Sequence, residues 1–65
     1  MSLVVNGAPY ELAGATLGDL LAALGAPEDG VAVAVNGEVV PRSSRKDRPL
    51  HPGDRVEVIR AVGGG

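Results

Sequence analysis

The residues best placed to do chemistry in this chain are its last three, Gly63, Gly64 and Gly65, at the end of a 65-residue sequence. Without Cβ atoms, such a run adopts backbone conformations closed to other residues and enters channels too narrow for them. Fully extended, residues 61–65 reach roughly 16–18 Å, enough to thread into a partner's active site while the globule docks outside. The group on offer there is the carboxylate of Gly65. Ionised at neutral pH, it is a poor acyl donor. It needs activation, for example as a mixed anhydride with AMP, before an attacking sulfur can displace the AMP. A linker remnant and a frayed end without a role are the other two readings. The residues alone leave all three open.

Elsewhere the candidates are few. Cysteine is absent, which removes thiol nucleophiles, disulfides and thiolate zinc sites. His51 is the only histidine, in a turn beside Pro52. A general base needs an orienting partner and a pocket, so a solvated turn residue is the expectation. His51 with Asp47 or Asp54 supplies too few ligands for a metal. Ser43-Ser44 has no base nearby in sequence, and residues 63–65 precede no helix, as a phosphate loop requires. No catalytic residue and no metal site are therefore expected. The basic run 42–48 reads either as a solvated loop that aids solubility or as a docking contact for an acidic partner. RNA binding by that loop is a third reading.

A very small fold must position these groups. The sequence is 45% apolar but only 2% aromatic, with Tyr10 alone, so the core draws on ten Val, seven Leu, one Ile and some Ala. A domain of this size buries only about 60% of the surface its unfolded chain exposes. Six Lys and Arg against eight Asp and Glu give a net charge of −2. That leaves neither a basic footprint nor stacking aromatics for nucleic acid. No apolar run approaches the length of a membrane span, and no signal-peptide pattern opens the chain. A cytoplasmic protein is expected.

Leu3-Val4-Val5, then Asn6-Gly7, then residues 9–13 read as a hairpin with a type I′ turn, with Pro9 favouring a sheet edge. Thr16 is an N-cap paired with Asp19, and Leu17, Leu20, Leu21 and Leu24 form one apolar helical face. Gly25 and Pro27 end that helix. Gly18 costs it roughly 1 kcal/mol relative to Ala, which packing must override. Residues 31–35 alternate Val and Ala as a strand, and Asn36-Gly37 turns it back through residues 38–40. Val-Asn-Gly thus occurs twice, as one turn chemistry used twice and not as a repeat architecture. Residues 42–49 read as a polar loop and Leu50 as its core anchor. His51-Pro52-Gly53-Asp54 reads as a type II turn, and residues 55–60 as the last strand.

One helix must then cover one face of the sheet, with the first and last strands paired at its centre. This is an α+β fold of the β-grasp (ubiquitin-like) kind: a mixed sheet of four to five strands, a domain at 1–60 and a flexible tail at 61–65. With Val33, Val35, Val56 and Val58 toward the helix, Val4, Ala32, Ala34 and Ile59 face outward. Apolar neighbours on an uncovered face can mark a protein interface, or small alanines can simply suit the strand packing. Both readings stand.

The chain resembles the ThiS family, the small sulfur carriers of thiamine (thiazole) biosynthesis. The resemblance rests on the opening Val-Asn-Gly hairpin, Ala15-Thr16-Leu17-Gly18-Asp19-Leu20-Leu21, and the stretch from Val31 through Asn36-Gly37 to Val40-Pro41-Arg42. It continues through Leu50-His51-Pro52-Gly53-Asp54-Arg55-Val56-Glu57-Val58 to the Gly-Gly terminus. It implies a carrier and not an enzyme. An E1-like adenylyltransferase, using ATP and Mg, would adenylate the Gly65 carboxylate. Sulfur from cysteine, through a desulfurase or other donor, would convert it to a thiocarboxylate, and thiazole synthase would take that sulfur. Gly64 and Gly65 match the family's functional pair; Gly63 is an additional glycine that would thread with them. The chain itself would hold no cofactor beyond the covalent sulfur. Arg60 reads as a partner contact or as an exposed strand charge. A carrier for molybdopterin or tRNA thiolation, a ubiquitin-like modifier and a passive binding domain are the alternatives. The short length favours thiamine.

Overall fold

Two Asn-Gly turns shape the sheet. Asn6 and Gly7 have φ of 48° and 81°, and Asn36 and Gly37 have 52° and 82°, the double positive φ of a type I′ turn. The first turn joins β1 (Ser2–Val5) to β2 (Ala8–Glu11), and the second joins β3 (Val31–Val35) to β4 (Glu38–Val39). The computed structural model describes residues 1–27 and 29–60. The expected tail at 61–65, with Gly63, Gly64 and Gly65, lies outside the described residues.

The last strand, β5 (Arg55–Arg60), enters between the two hairpins. It runs parallel to β1, with Val5 opposite Val56, and antiparallel to β3 from Val35 opposite Val56 to Val31 opposite Arg60. The sheet order is β2-β1-β5-β3-β4, the mixed five-stranded β-grasp arrangement expected, with Pro9 on an edge strand. Val56, flanked by Val5 and Val35, sits at the centre of the buried face.

The helix α1 (Leu17–Leu24) covers that face with Leu17 and Leu20 fully buried. Its start is a reciprocal capping box. The Asp19 amide donates to Thr16 Oγ1 at 3.1 Å, and Asp19 Oδ2 accepts from the Thr16 amide at 3.1 Å and the Ala15 amide at 2.9 Å. Those donors hold the Asp19 carboxyl below its ordinary 3.8. Gly25 closes the helix at φ 68°. Val31, Val33 and Val35 point inward as the alternation requires, and Leu50 is buried as the anchor of its segment. The Asp54 amide donates to the His51 carbonyl at 3.0 Å across the Pro-Gly turn.

Two expectations change. The return strand of the first hairpin ends at Glu11, because Leu12 turns into the core instead of continuing the alternation. Its pairing is taken over by Met1, whose amino group donates to the Leu12 carbonyl at 2.6 Å while the Leu12 amide donates to the Met1 carbonyl. The polar segment after Pro41 is not simply a loop, since Arg42–Arg45 form a one-turn helix, α2. Arg45 fixes it in place. Its Nη2 donates to the Val31 carbonyl at 2.7 Å and its Nε to the Val40 carbonyl at 3.4 Å, so this guanidinium belongs to the scaffold.

Candidate functional site

Everything the sequence assigns to Gly65 depends on where and how β5 leaves the sheet. As the central strand, β5 is held on both sides, but unequally. β3 accompanies it to Arg60, whereas β1 pairs only with Arg55 and Val56. Beyond that point the Asn6 side chain takes over. Its Oδ1 accepts from the Val58 amide at 2.8 Å, and its Nδ2 donates to the Val58 carbonyl at 3.3 Å. On the opposite flank, Arg45 braces Val31, the residue facing Arg60. The base of the tail is thus a built point on a rigid element.

The sheet face away from α1 is the surface beside this exit. Strand register places Ile59 opposite Ala32, and Ala34 between Glu57 and Val39. Ile59 is 60% exposed and Val39 72% exposed. The structure therefore brings together three of the outward residues foreseen, Ile59, Ala32 and Ala34. Val4 shares the face but stands beside Pro9 and opposite Arg55, so Arg55 and Glu57 separate it from the others. Val39 was missed. The two-residue turn at Asn36-Gly37 sets Val39 against Ala34, so counting outward from that turn would have found it.

The basic segment contributes less than its composition suggests. Arg42 pairs with Asp29, and Arg48 Nη1 lies 3.4 Å from Glu38 Oε1. Lys46 and Ser43 border a cleft between α1 and α2 whose other wall is Leu21, Ala22, Ala26 and Pro27. His51 is 76% exposed, with Nδ1 3.9 Å from Asp54 Oδ2, as befits a turn residue. Burial pushes the Asp54 carboxyl up, but the His51 amide, the Asn36 carboxamide and the charges of His51 and Arg48 outweigh it and leave it below 3.8. Glu11 is likewise lowered from 4.5, by the terminal ammonium of Met1 and by Ser2. Among the described residues no three His, Cys, Asp or Glu side chains gather to hold a metal ion. No described helix is long and apolar enough to cross a membrane.

Comparison with known proteins agrees with this geometry along the whole chain. Residues 3–65 match the model of the ThiS family. The sulfur carrier protein ThiS of Thermus thermophilus is 43% identical over 61 residues, which is 94% of this chain and 95% of that protein. A crystal structure of the thiamine biosynthesis protein ThiS from Geobacter metallireducens superposes with a TM-score of 0.81 at 38% identity, covering 100% of both chains. A longer relative, the thiazole synthase of Paramagnetospirillum magneticum, is 39% identical over 66 residues. That match is 100% of this chain and 20% of the relative, so this chain spans about a fifth of that protein. On the strength of the end-to-end family match and of relatives alike over nearly their full length, this chain belongs to the ThiS family.

Proposed function

We propose that this protein is a sulfur carrier of thiamine biosynthesis, and that the atoms it carries sulfur on are those of the Gly65 carboxyl group. The observation that supports this most is the near full-length identity to a ThiS sulfur carrier. In the chemistry proposed, a Gly65 carboxylate oxygen attacks the α-phosphorus of ATP and pyrophosphate leaves, giving an acyl adenylate. A sulfur nucleophile from a desulfurase or other donor then attacks the acyl carbon and expels AMP. Transfer of the sulfur to the forming thiazole and uptake of water return the carboxylate. ATP and Mg belong to the E1-like adenylyltransferase that performs the first step. The carrier is the substrate, and its partners supply the transition-state stabilisation.

Thiazole synthase as the acceptor is favoured by relatives that bear that name and contain, within one polypeptide, a segment alike to this whole chain. In the chemistry proposed, Gly64 and Gly63 thread ahead of the globule, and the outward face around Ile59, Ala32 and Ala34 lies against the partner surface, with Val4 at its margin.

Intact-mass measurement tests this reading. With ATP, Mg, an adenylyltransferase and a sulfur source, the chain should gain a mass equal to one oxygen replaced by sulfur. A chain lacking Gly65 should stay unchanged in mass with the same thermal stability. An unaltered mass for the full chain, under conditions that convert a known carrier, sinks the proposal. Supplying the charged carrier to thiazole synthase should yield thiazole, and failure there with success in molybdopterin or tRNA thiolation reassigns the pathway.

A further inference from the structure

β1 stops before its neighbour does. Its backbone pairs with β5 at Arg55 and Val56 only, and the next peptide pair on that side falls to the Asn6 carboxamide. One carboxamide offers a donor and an acceptor together, as a peptide group does. Asn6 therefore continues the parallel ladder by a side chain, to within two residues of Arg60. Asn36 makes the corresponding clip at the other end of β5. Its Oδ1 accepts from the Arg55 amide at 2.9 Å, and its Nδ2 donates to Asp54 Oδ1 at 3.1 Å. The two clips are alike in chemistry and differ in place.

We infer that Asn6 is a positioning residue for the reaction at Gly65, acting by fixing the point from which the C-terminal segment leaves the sheet. The inference rests on the reading of Gly65 as the adenylated terminus. Gly65 stands five residues beyond Arg60, and Gly63, Gly64 and Gly65 offer no side chains to grip. How far the segment is already ordered at its base then decides how much order binding must impose. With β5 released at Val58, the chain to be ordered lengthens by residues 58–60, and the effective concentration of the terminus at a docked active site falls. Asn36, at the far end of the strand, has no such leverage.

The N6G and N36G variants separate place from stability. Glycine accepts the positive φ of both positions, so each turn is kept and each variant loses one clip. Residue-resolved amide exchange is one readout. Steady-state pyrophosphate release with ATP, Mg and an adenylyltransferase is the other. In N6G, exchange at Val58 should quicken roughly tenfold, as expected for one net hydrogen bond. Its KM for the carrier should rise about two- to threefold at unchanged kcat, the scale of a longer tether. N36G should quicken exchange at Arg55 and leave KM at the wild-type value. If N6G does not fold, N6D keeps the acceptor for the Val58 amide, loses the donor, and carries the same two readouts with a smaller effect. Unchanged exchange at Val58 overturns the clip, and equal KM values for the two variants overturn the positioning role. A wild-type chain that is never adenylated overturns the functional reading and with it the role of Asn6 in that reaction, while the exchange measurement still decides the clip alone.

Discussion

A methyl group on Gly18 would stand 2.7 Å from the Lys46 carbonyl oxygen and 3.0 Å from its Cα. Helix propensity favours alanine at that position by roughly 1 kcal/mol, so propensity and packing make opposite predictions. Backbone cannot yield as a long side chain can, and packing should win. G18A is expected to lower stability by about 1–3 kcal/mol through displacement of residue 46 and the α2 turn, read as a lower urea midpoint. A rise in the midpoint would show that α2 can move away without loss. The glycine's cost to the helix was legible in the sequence; its reason was not, because the atom it makes room for lies in a segment that reads as polar loop. Asn6 and Asn36 teach the same lesson. Their turn chemistry follows from the dipeptide alone, whereas the clips onto Val58 and Arg55 depend on a strand far away in sequence. Repetition of Val-Asn-Gly was the only hint.

At the scale of elements, periodicity carried most of the fold. Alternating Val and Ala defined β3, four leucines defined α1, and two Asn-Gly pairs set both hairpin registers. What escaped was α2, a single turn without a side-chain cap, held by the Arg45 bonds to the Val31 and Val40 carbonyls and not by its own sequence. The outward face behaves as one element too. Ile59 and Val39 lie open on it without supporting the core, so I59A and V39A should leave stability within about 0.5 kcal/mol of wild type. If that face meets the adenylyltransferase, I59A should raise KM for the carrier several-fold, whereas V4A, across Arg55, should do so less. A stability loss in I59A comparable to that of V56A, which empties the centre of the core, would place Ile59 in the scaffold instead.

For the molecule as a whole, acid is the condition that should expose its thin margin. The Glu11, Asp19 and Asp54 carboxyls are all held below their ordinary values by donors and cations in the fold. Each therefore binds its proton more weakly when folded. Their stabilising contribution is full above the unfolded-state values of 4.5 and 3.8 and is lost as pH falls through the lower folded ones. Urea midpoints should stay level near neutrality and drop between about pH 5 and pH 2, with D54N flattening the drop. A midpoint constant through that range would contradict the depressed values. The placement of β5 has a last consequence, for synthesis. Its pairing of Val5 with Val56 joins the first strand made to the last, so the sheet has no centre until translation has passed Arg55. Nascent or prematurely terminated chains cannot complete the fold. Any molecule that survives proteolysis as a folded body has therefore been made to within a few residues of its working end, and the fold itself proofreads the carrier for completeness.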